Sequence, residues 1–394
     1  TCWTNPVPDI RLGGRPFDQQ VRFFSAKVNV PTVRYDDLWR SDHSHGFMVA
    51  GAHRAALLDD LRLAVDKAVR DGETLTQFRA RFDDIVLKHG WTGWTGSESA
   101  AGRARRTRVI YDTNVRQSYN AGRYAQLTSP AMIKARPYWQ YRHNDIGISK
   151  FPRVQHMAWN GLILRYDDPF WRTHFPQNGW LCKCGVRALS ADDVKRLGKP
   201  VGGAPQGTEG IDPGFDYNPG DAARSLPAAN AFAERVATMP PKWRDIALRD
   251  AQQRVGDYFA EASALVRRSL TARVESPIPV GLLSPSAAAS APGSLLVALD
   301  GTATQQLVTA GVPATFLADI AAQLTRPSAV LRNTIDGTLV YVWIQDDGRY
   351  VQLVLDSRTR TAAPKISASM IRSGGLVSRS TLAASRYTVL EGSL

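Results

Sequence analysis

Apolar residues recur at helical spacing through the first third of the chain, and this spacing predicts amphipathic helices. One apolar stripe runs from Leu57 to Val69 and ends at Gly72, a residue type that favours helix ends. A second stripe, Leu75–Val86, follows Thr74, which can cap a helix, and ends before Gly90. Because the turn between them is short, we expect these two helices to lie antiparallel.

A third and longer helix is predicted from Ser97 or Ser99 to about Leu127, and Ser129-Pro130 ends it. The residues Trp139–His143 alternate between aromatic and polar types, as a strand does. Later, Ser190 can cap a short helix that stops at Gly198.

Between these elements lies a stretch rich in turns, from Arg153 to Cys184. Asn-Gly pairs at Asn160-Gly161 and Asn178-Gly179 favour turns, while Pro169 and Pro176 prevent one continuous helix. Tryptophan, histidine and cysteine are concentrated here, so this turn-rich segment is where we expect binding or catalytic groups.

The C-terminal part has a different pattern. Helical spacing over 228–239 and 243–270 is followed by Ser276–Gly293, whose four prolines predict a linker. After a helical stretch at 303–324, strands at 338–344 and 350–355 form a predicted hairpin with Asp347-Gly348 as its turn signal. A third strand is predicted at 366–371.

The predicted fold class is therefore a mainly α N-terminal and central region with an irregular, turn-rich, β-containing core, plus a small α+β C-terminal domain. The predicted divisions are an arm at 1–52, a core at 53–227, a helical segment at 228–275, a linker at 276–293 and a tail domain at 294–394.

Charge adds a candidate partner. The 394 residues carry a formal net charge of +13, which favours a polyanionic partner such as nucleic acid. Residues 101–153 hold eleven Lys and Arg against two Asp, whereas 276–394 hold nine against seven acidic residues. A solvated helix face remains the alternative interpretation. The candidates for binding nucleic acid or a protein partner are Arg103, Arg105, Arg106, Arg108, Arg116 and Arg123.

Composition also limits the compartment. The sequence has no run of eighteen apolar residues, so it predicts no membrane span and no membrane partner. Its first residues lack the basic and apolar regions of a signal peptide. Three cysteines in the whole chain indicate a reducing compartment rather than a disulfide framework.

Cys182 and Cys184 are candidate metal ligands, because two thiolates can share a zinc ion. His156 is the natural third ligand, and His174 or His143 the fourth. The alternative is a pair of small residues in a strand, while a Cys182–Cys184 disulfide is disfavoured because its geometry would be strained. A second pair, His43 and His45, is interpreted as a surface feature.

Several motifs occur in the order of a known family. Together they resemble the phage Mu F-like minor head, or head-morphogenesis, proteins over roughly residues 17–225. The motifs are FFSAKVNVPT (Phe23–Thr32), FMVAG (Phe47–Gly51), RVIYDTNVRQSYNAGRYAQ (Arg108–Gln126), RVQHMAWNGLIL (Arg153–Leu164), DDPFW (Asp167–Trp171), PQNGWLCKC (Pro176–Cys184) and FDYNPG (Phe215–Gly220).

The resemblance implies a minor capsid protein inside the phage head near the portal vertex, made in the host cytoplasm and needed for head assembly or DNA ejection. Its implied partners are the portal protein, major capsid or scaffold proteins and phage DNA. The resemblance brings no agreed enzymatic activity for the core.

Residues 294–394 resemble the phage barnase-, EndoU-, colicin- and RelE-like nuclease domains through one helix-then-hairpin pattern. This resemblance raises an alternative function, a virion-delivered effector with a metal-independent ribonuclease tail. Because residues 294–390 contain neither His nor Glu, the usual acid and base are missing, which favours a binding or inactive domain. The remaining catalytic candidates are Arg332, Tyr341, Arg349 and Arg372.

Overall fold

The computed structural model describes residues 17–144, 153–254, 260–272, 274, 277–291, 293–360, 367–382 and 385–394. The chain divides into two compact units. Unit 1 comprises residues 1–25 and 31–223, and unit 2 comprises residues 26–30 and 224–394.

Unit 1 begins with a helical part whose predicted signals are confirmed. Gly72 and Gly90 end their helices in the left-handed conformation, with φ of 70° and 54°, where a Cβ would be strained. Thr74 and Gln77 form a reciprocal capping box at the start of the second of these helices. The elements are α1 (Asp18–Ser25), α2 (Asp42–His45), β2 (Gly46–Phe47), α3 (Ala55–Asp71), α4 (Leu75–His89), α5 (Ala100–Leu127) and α6 (Pro130–Ala135).

The core of this part is aromatic and aliphatic. Phe78 and Phe82 of α4 are fully buried, and Phe82 meets Trp91 and Trp94 edge-on or tilted at 6.0 and 5.4 Å between ring centroids. Helix α1 packs against α5 so closely that a Cβ at Gly122 would lie 2.6 Å from the Gln20 nitrogen. Residues 18–25 of the predicted arm are thus part of the packed unit.

The remainder of unit 1 is irregular, as predicted, and is built on a small antiparallel sheet with β3 in the centre and β4 and β5 at its edges. Ser190 caps α9 and Gly198 ends it with φ of 61°, both as predicted. The elements are β3 (Tyr138–Arg142), α7 (Val154–Ala158), β4 (Ile163–Arg165), α8 (Trp171–His174), β5 (Gly185–Leu189), α9 (Ala191–Leu197) and α10 (Pro219–Ala222).

Unit 2 centres on a seven-stranded sheet with the order β12-β8-β9-β10-β11-β7-β6. The β11–β7 pair is parallel and the other neighbours are antiparallel. The strands are β6 (Ile278–Leu282), β7 (Leu296–Leu299), β8 (Ala329–Asn333), β9 (Leu339–Ile344), β10 (Tyr350–Arg360), β11 (Ser367–Val377) and β12 (Tyr387–Gly392), with the two-residue β1 (Val28–Asn29) held to α12 through Asn29 N–H and Asp250 Oδ2 at 2.7 Å.

Along the chain, the helices of unit 2 lie before the strands of the sheet and between them. They are α11 (Leu226–Ala237), α12 (Pro241–Gln253), α13 (Ala260–Ser269), α14 (Pro285–Ser290), α15 (Gly301–Thr309), α16 (Ala314–Ala318), α17 (Ile320–Gln323) and α18 (Arg379–Leu382). The predicted hairpin and third strand are present as β9, β10 and β11. The mixed α/β fold class is confirmed.

The structure differs from the predicted linker at 276–293. Its described residues form β6 and α14, and β6 pairs with β7 at one edge of the sheet. Pro279 is tolerated there because an edge strand has one side free of ladder bonds, and buried Ile278 and Val280 supply the apolar face that the prolines obscured. The C-terminal unit therefore begins before the predicted tail domain.

The prediction that the His43–His45 pair is a surface feature is wrong for His45. Helix α2 turns Asp42, Ser44 and His45 into the interior, where each is at most 4% exposed. The Ser44 hydroxyl donates to the Pro219 carbonyl at 3.1 Å, so this short helix holds α10 in place. Nothing in the described part of the chain is a helix long and apolar enough to cross a membrane.

Candidate metal centre

Sheet register brings the first histidine to the cysteines. β3 and β5 pair antiparallel with Arg142 opposite Gly185, so the residue after β3, His143, lies beside the residue before β5, Cys184. The His143 Nδ1 atom is 3.3 Å from the Cys184 Sγ atom. Of the two fourth ligands proposed from sequence, the structure brings His143 to the cysteines.

His156 of α7 reaches the same point. Its Nδ1 atom is 3.7 Å from the Cys182 Sγ and 3.6 Å from the Cys184 Sγ. Its Nε2 atom lies 2.9 Å from the Gly210 carbonyl oxygen, and since a carbonyl only accepts, Nε2 carries the proton. The lone pair of Nδ1 then faces both sulfurs, which is the tautomer a metal ligand requires.

All four side chains are enclosed. Cys182, Cys184, His143 and His156 are 1%, 4%, 4% and 0% exposed, and we call these four residues the Cys/His cluster. The Cys184 thiol hydrogen-bonds the Cys182 sulfur, which lowers the pKa of Cys182 and raises that of Cys184. The ring of His156 stacks on Trp159 at 4.9 Å, so its orientation is fixed by packing as well.

An ion pair supports the loop that carries the cysteines. Arg153 donates to both carboxylate oxygens of Asp212, at 2.5 and 2.7 Å, and to the Trp180 carbonyl at 3.0 Å. The same carboxylate accepts from the Trp180 N–H at 2.9 Å. Gly179 leaves room for this pair, because a Cβ there would lie 2.5 Å from Asp212 Oδ2.

Two asparagines have roles that their turn propensity did not reveal. The Asn178 side chain accepts from the Tyr141 hydroxyl at 3.0 Å and donates to the Thr173 carbonyl at 3.3 Å. The Asn160 side chain accepts from the backbone N–H of His143 at 3.0 Å. Asn160 directly positions a member of the Cys/His cluster, and apart from the Asn-Gly pairs no sequence pattern indicates either contact.

His174, the other proposed fourth ligand, lies outside the Cys/His cluster. Its ring stacks on Phe170 at 4.0 Å and meets Trp159 at 4.8 Å, and its Nδ1 pairs with the Thr173 hydroxyl at 2.9 Å. Burial lowers the pKa of His174 to about 4, so it is neutral at physiological pH.

The arginine candidates on α5 separate into two groups. Arg103, Arg105 and Arg108 are exposed on its first turns. Arg106 turns inward and donates to the Ala50 carbonyl at 2.5 Å, and burial lowers the pKa of its guanidinium. Arg116 pairs with Asp112 at 3.8 Å and Arg123 donates to Gln126 at 2.6 Å, so both contribute to the structure of the helix.

The four catalytic candidates of the C-terminal unit are not brought to one cleft. Tyr341 is 1% exposed, and burial raises its pKa above the ordinary value. Arg332 pairs across from Leu339 at one end of the β9–β10 hairpin, whereas Arg349 lies in the turn at the other end, bound to Asp347 at 2.7 Å. Arg372 is exposed on β11, the strand beyond β10.

Glu391 lies just beyond the stretch without His or Glu. It accepts a hydrogen bond from the Ser284 hydroxyl at 2.7 Å, and Ser284 also caps α14. The contact connects β12 to the predicted linker and serves the fold.

Part of unit 1 is similar to known proteins. A family model described as Phage Mu protein F like protein matches residues 59–187, a range that contains the whole Cys/His cluster. This part of the chain is therefore similar to the Mu F-like family. The resemblance seen in the motifs is confirmed for this part of the chain.

Two relatives extend the match. The chain is 36% identical over 221 residues to a protein of Escherichia phage Mu named as capsid assembly protein F, covering 53% of this chain and 49% of that one. It is 35% identical over 179 residues to the Mu-like prophage FluMu F protein of Haemophilus influenzae, covering 44% and 42%. The chain thus matches about half the length of these curated relatives, and no solved structure matches it.

Proposed function

We propose that this chain acts in the assembly of a Mu-like phage head, as a minor capsid protein at the portal vertex. The observation that carries the proposal is the 221-residue similarity to the capsid assembly protein F of phage Mu. Its partners would be the portal protein, major capsid or scaffold proteins and packaged DNA, and its place the interior of the virion after assembly in the host cytoplasm.

The direct test is genetic. A stop codon in the gene for this chain, placed in the phage that encodes it, should abolish normal heads in electron micrographs of induced cells, and a copy of the gene supplied in trans should restore them. Normal heads that eject DNA as the parent phage does would refute the assembly role.

The contact with DNA is proposed to use the exposed start of α5. Arg103, Arg105 and Arg108 are exposed, and the nearby acidic group, Asp112, is buried and contacts Arg108 at 3.3 Å. Each phosphate that such a cation neutralises adds about 0.9 to the slope of log K against log salt. Replacing all three by Gln should therefore flatten the slope for duplex DNA by about 2 to 3.

The matched control removes the same charge from the other unit, through Arg332, Arg349 and Arg372 changed to Gln. This variant should keep the parent slope, because these arginines are not grouped. Equal flattening in both variants would mean that net charge alone attracts DNA, and an unchanged slope in the α5 variant would exclude that helix. Arg106 is left intact, since its contact with Ala50 is structural.

We do not extend the proposal to a ribonuclease in the C-terminal unit, because its candidate residues lie apart and Tyr341 is buried.

A further inference from the structure

The Cys/His cluster has the donor set and spacing of a closed zinc site. A tetrahedral zinc ion holds sulfur at about 2.3 Å and nitrogen at about 2.0–2.1 Å, which separates a sulfur ligand from a nitrogen ligand by about 3.6 Å. Three of the four sulfur–nitrogen pairs in the cluster, Cys184 with each histidine and Cys182 with His156, are separated by 3.3, 3.6 and 3.7 Å. The ligand atoms of His143, His156 and Cys184 all lie within 4.8 Å of one another.

The protonation state of His156 suits a cation shared with both sulfurs. With its proton on Nε2, His156 has a single lone pair at Nδ1, yet two sulfurs face that atom at similar distances. A cation between the three atoms is bound by all of them. The Gly210 carbonyl is the kind of outer partner that orients a metal-bound histidine.

We propose that Cys182, Cys184, His143 and His156 bind one Zn²⁺ ion as a structural Cys2His2 site. The sulfur atoms of both cysteines and the Nδ1 atoms of both histidines are the ligands. All four residues are at most 4% exposed, so the site has no open position for a substrate and is structural rather than catalytic.

The ion joins three separated stretches of unit 1. It connects the end of β3, helix α7 and the loop before β5, where regular hydrogen-bonded structure is sparse. Because the ligands converge only in the folded chain, the free energy of binding contributes to folding. This site goes beyond the proposed role in head assembly and does not depend on it.

Metal content is the first measurement. The full chain is produced with zinc in the medium, and a desalting column removes unbound metal. Elemental mass spectrometry should then find about one zinc per chain. A strong chelator should remove the zinc and lower the melting temperature. The proposal would be overturned if the purified protein held no zinc and its melting temperature did not change with the chelator. It would also be overturned if Cys182 and Cys184 were oxidised to a disulfide.

Matched variants then test the ligands. Cys184→Ser and His143→Ala should lose most of the zinc, whereas His174→Asn, which changes a buried histidine outside the Cys/His cluster, should keep it. Equal loss in the control would show that any change in this segment releases metal and would overturn the assignment. Full zinc in His143→Ala would remove His143 from the site.

Two further experiments test the site if these variants fail to fold. His143→Cys exchanges one zinc ligand for another and should retain the metal. In the folded parent chain, Co²⁺ replacing zinc should show the visible absorption of a tetrahedral ion together with thiolate-to-metal charge transfer. An octahedral cobalt spectrum in the parent chain would contradict the ligand set.

Discussion

The turn-rich segment of unit 1 and the sheet of unit 2 satisfy their buried backbone groups by different means. In the sheet, neighbouring strands pair with one another, and β9 is buried along nearly its whole length by apolar side chains. In the turn-rich segment, the side chains of Asn160 and Asn178, and that of Asp212 from outside the segment, bond directly to backbone groups. One region therefore depends on many similar contacts, and the other on a few particular ones.

This difference predicts where single substitutions act. Apolar truncation should matter most in the sheet, and loss of one polar group should matter most in the turn-rich segment.

Leu353→Ala should destabilise the sheet most. Leu353 is fully buried on β10, opposite Tyr341 of β9, so removing its side chain leaves a cavity. We expect a loss of about 3 kcal/mol in the free energy of unfolding, measured by urea titration. Ile344→Ala, in the same hairpin but 60% exposed, is the control and should cost less than about 1 kcal/mol. Similar losses in both would contradict the view that burial holds this sheet.

Asp212→Asn should be the most damaging polar change tested. The amide keeps one acceptor oxygen but loses the charge and the second acceptor for the Arg153 guanidinium, which is 28% exposed and shares this carboxylate with the Trp180 N–H. We expect a loss of about 2 kcal/mol. The matched control is Asp167→Asn, since the Arg165–Asp167 pair is 60% and 49% exposed and should contribute little. If the two variants unfold at the same urea concentration, the Arg153–Asp212 pair does not support the cysteine loop.

His174 should make stability depend on pH. Its pKa is lowered from 6.5 to about 4 by burial, so between these values the unfolded chain binds a proton that the folded chain does not. The stability that the neutral His174 side chain contributes is fully present above about pH 6.5. As the pH falls towards 4, the free energy of unfolding should decrease by an amount on the order of 2 kcal/mol.

His174→Asn should remove that part of the pH dependence while leaving any part due to other groups. The measurement is the unfolding free energy of both proteins at several pH values between 4 and 7. Parallel curves for the two proteins would mean that His174 does not titrate as described.

Local signals in the sequence were enough for most of the helices and the C-terminal hairpin. Gly72, Thr74, Gly90 and Ser190 act through their immediate neighbours, so a pattern along the chain is sufficient to predict them. The same holds for the Asp-Gly turn at Gly348, whose φ is 79°.

Long-range contacts could not be predicted in this way. From well outside the turn-rich segment, Gly210 contacts His156 of the Cys/His cluster and Asp212 pairs with Arg153, and neither belongs to a metal or capping motif. Strand β6 was missed because its partner strand, not its own composition, makes a proline-containing segment extended. No local pattern separates Arg106 from the exposed binding candidates on α5, because its inward turn depends on Ala50.

The strand order of unit 2 also has a consequence for how the protein is made. Strands β6 and β7 leave the ribosome early, yet Val297 of β7 pairs with Ser369 of β11, which is synthesised much later. Until then, the fully buried residues of β7 have no neighbour on that side. Parallel, long-range pairing of this kind forms slowly. A nascent chain of this protein therefore exposes this apolar strand from the synthesis of β7 until β11 has been made.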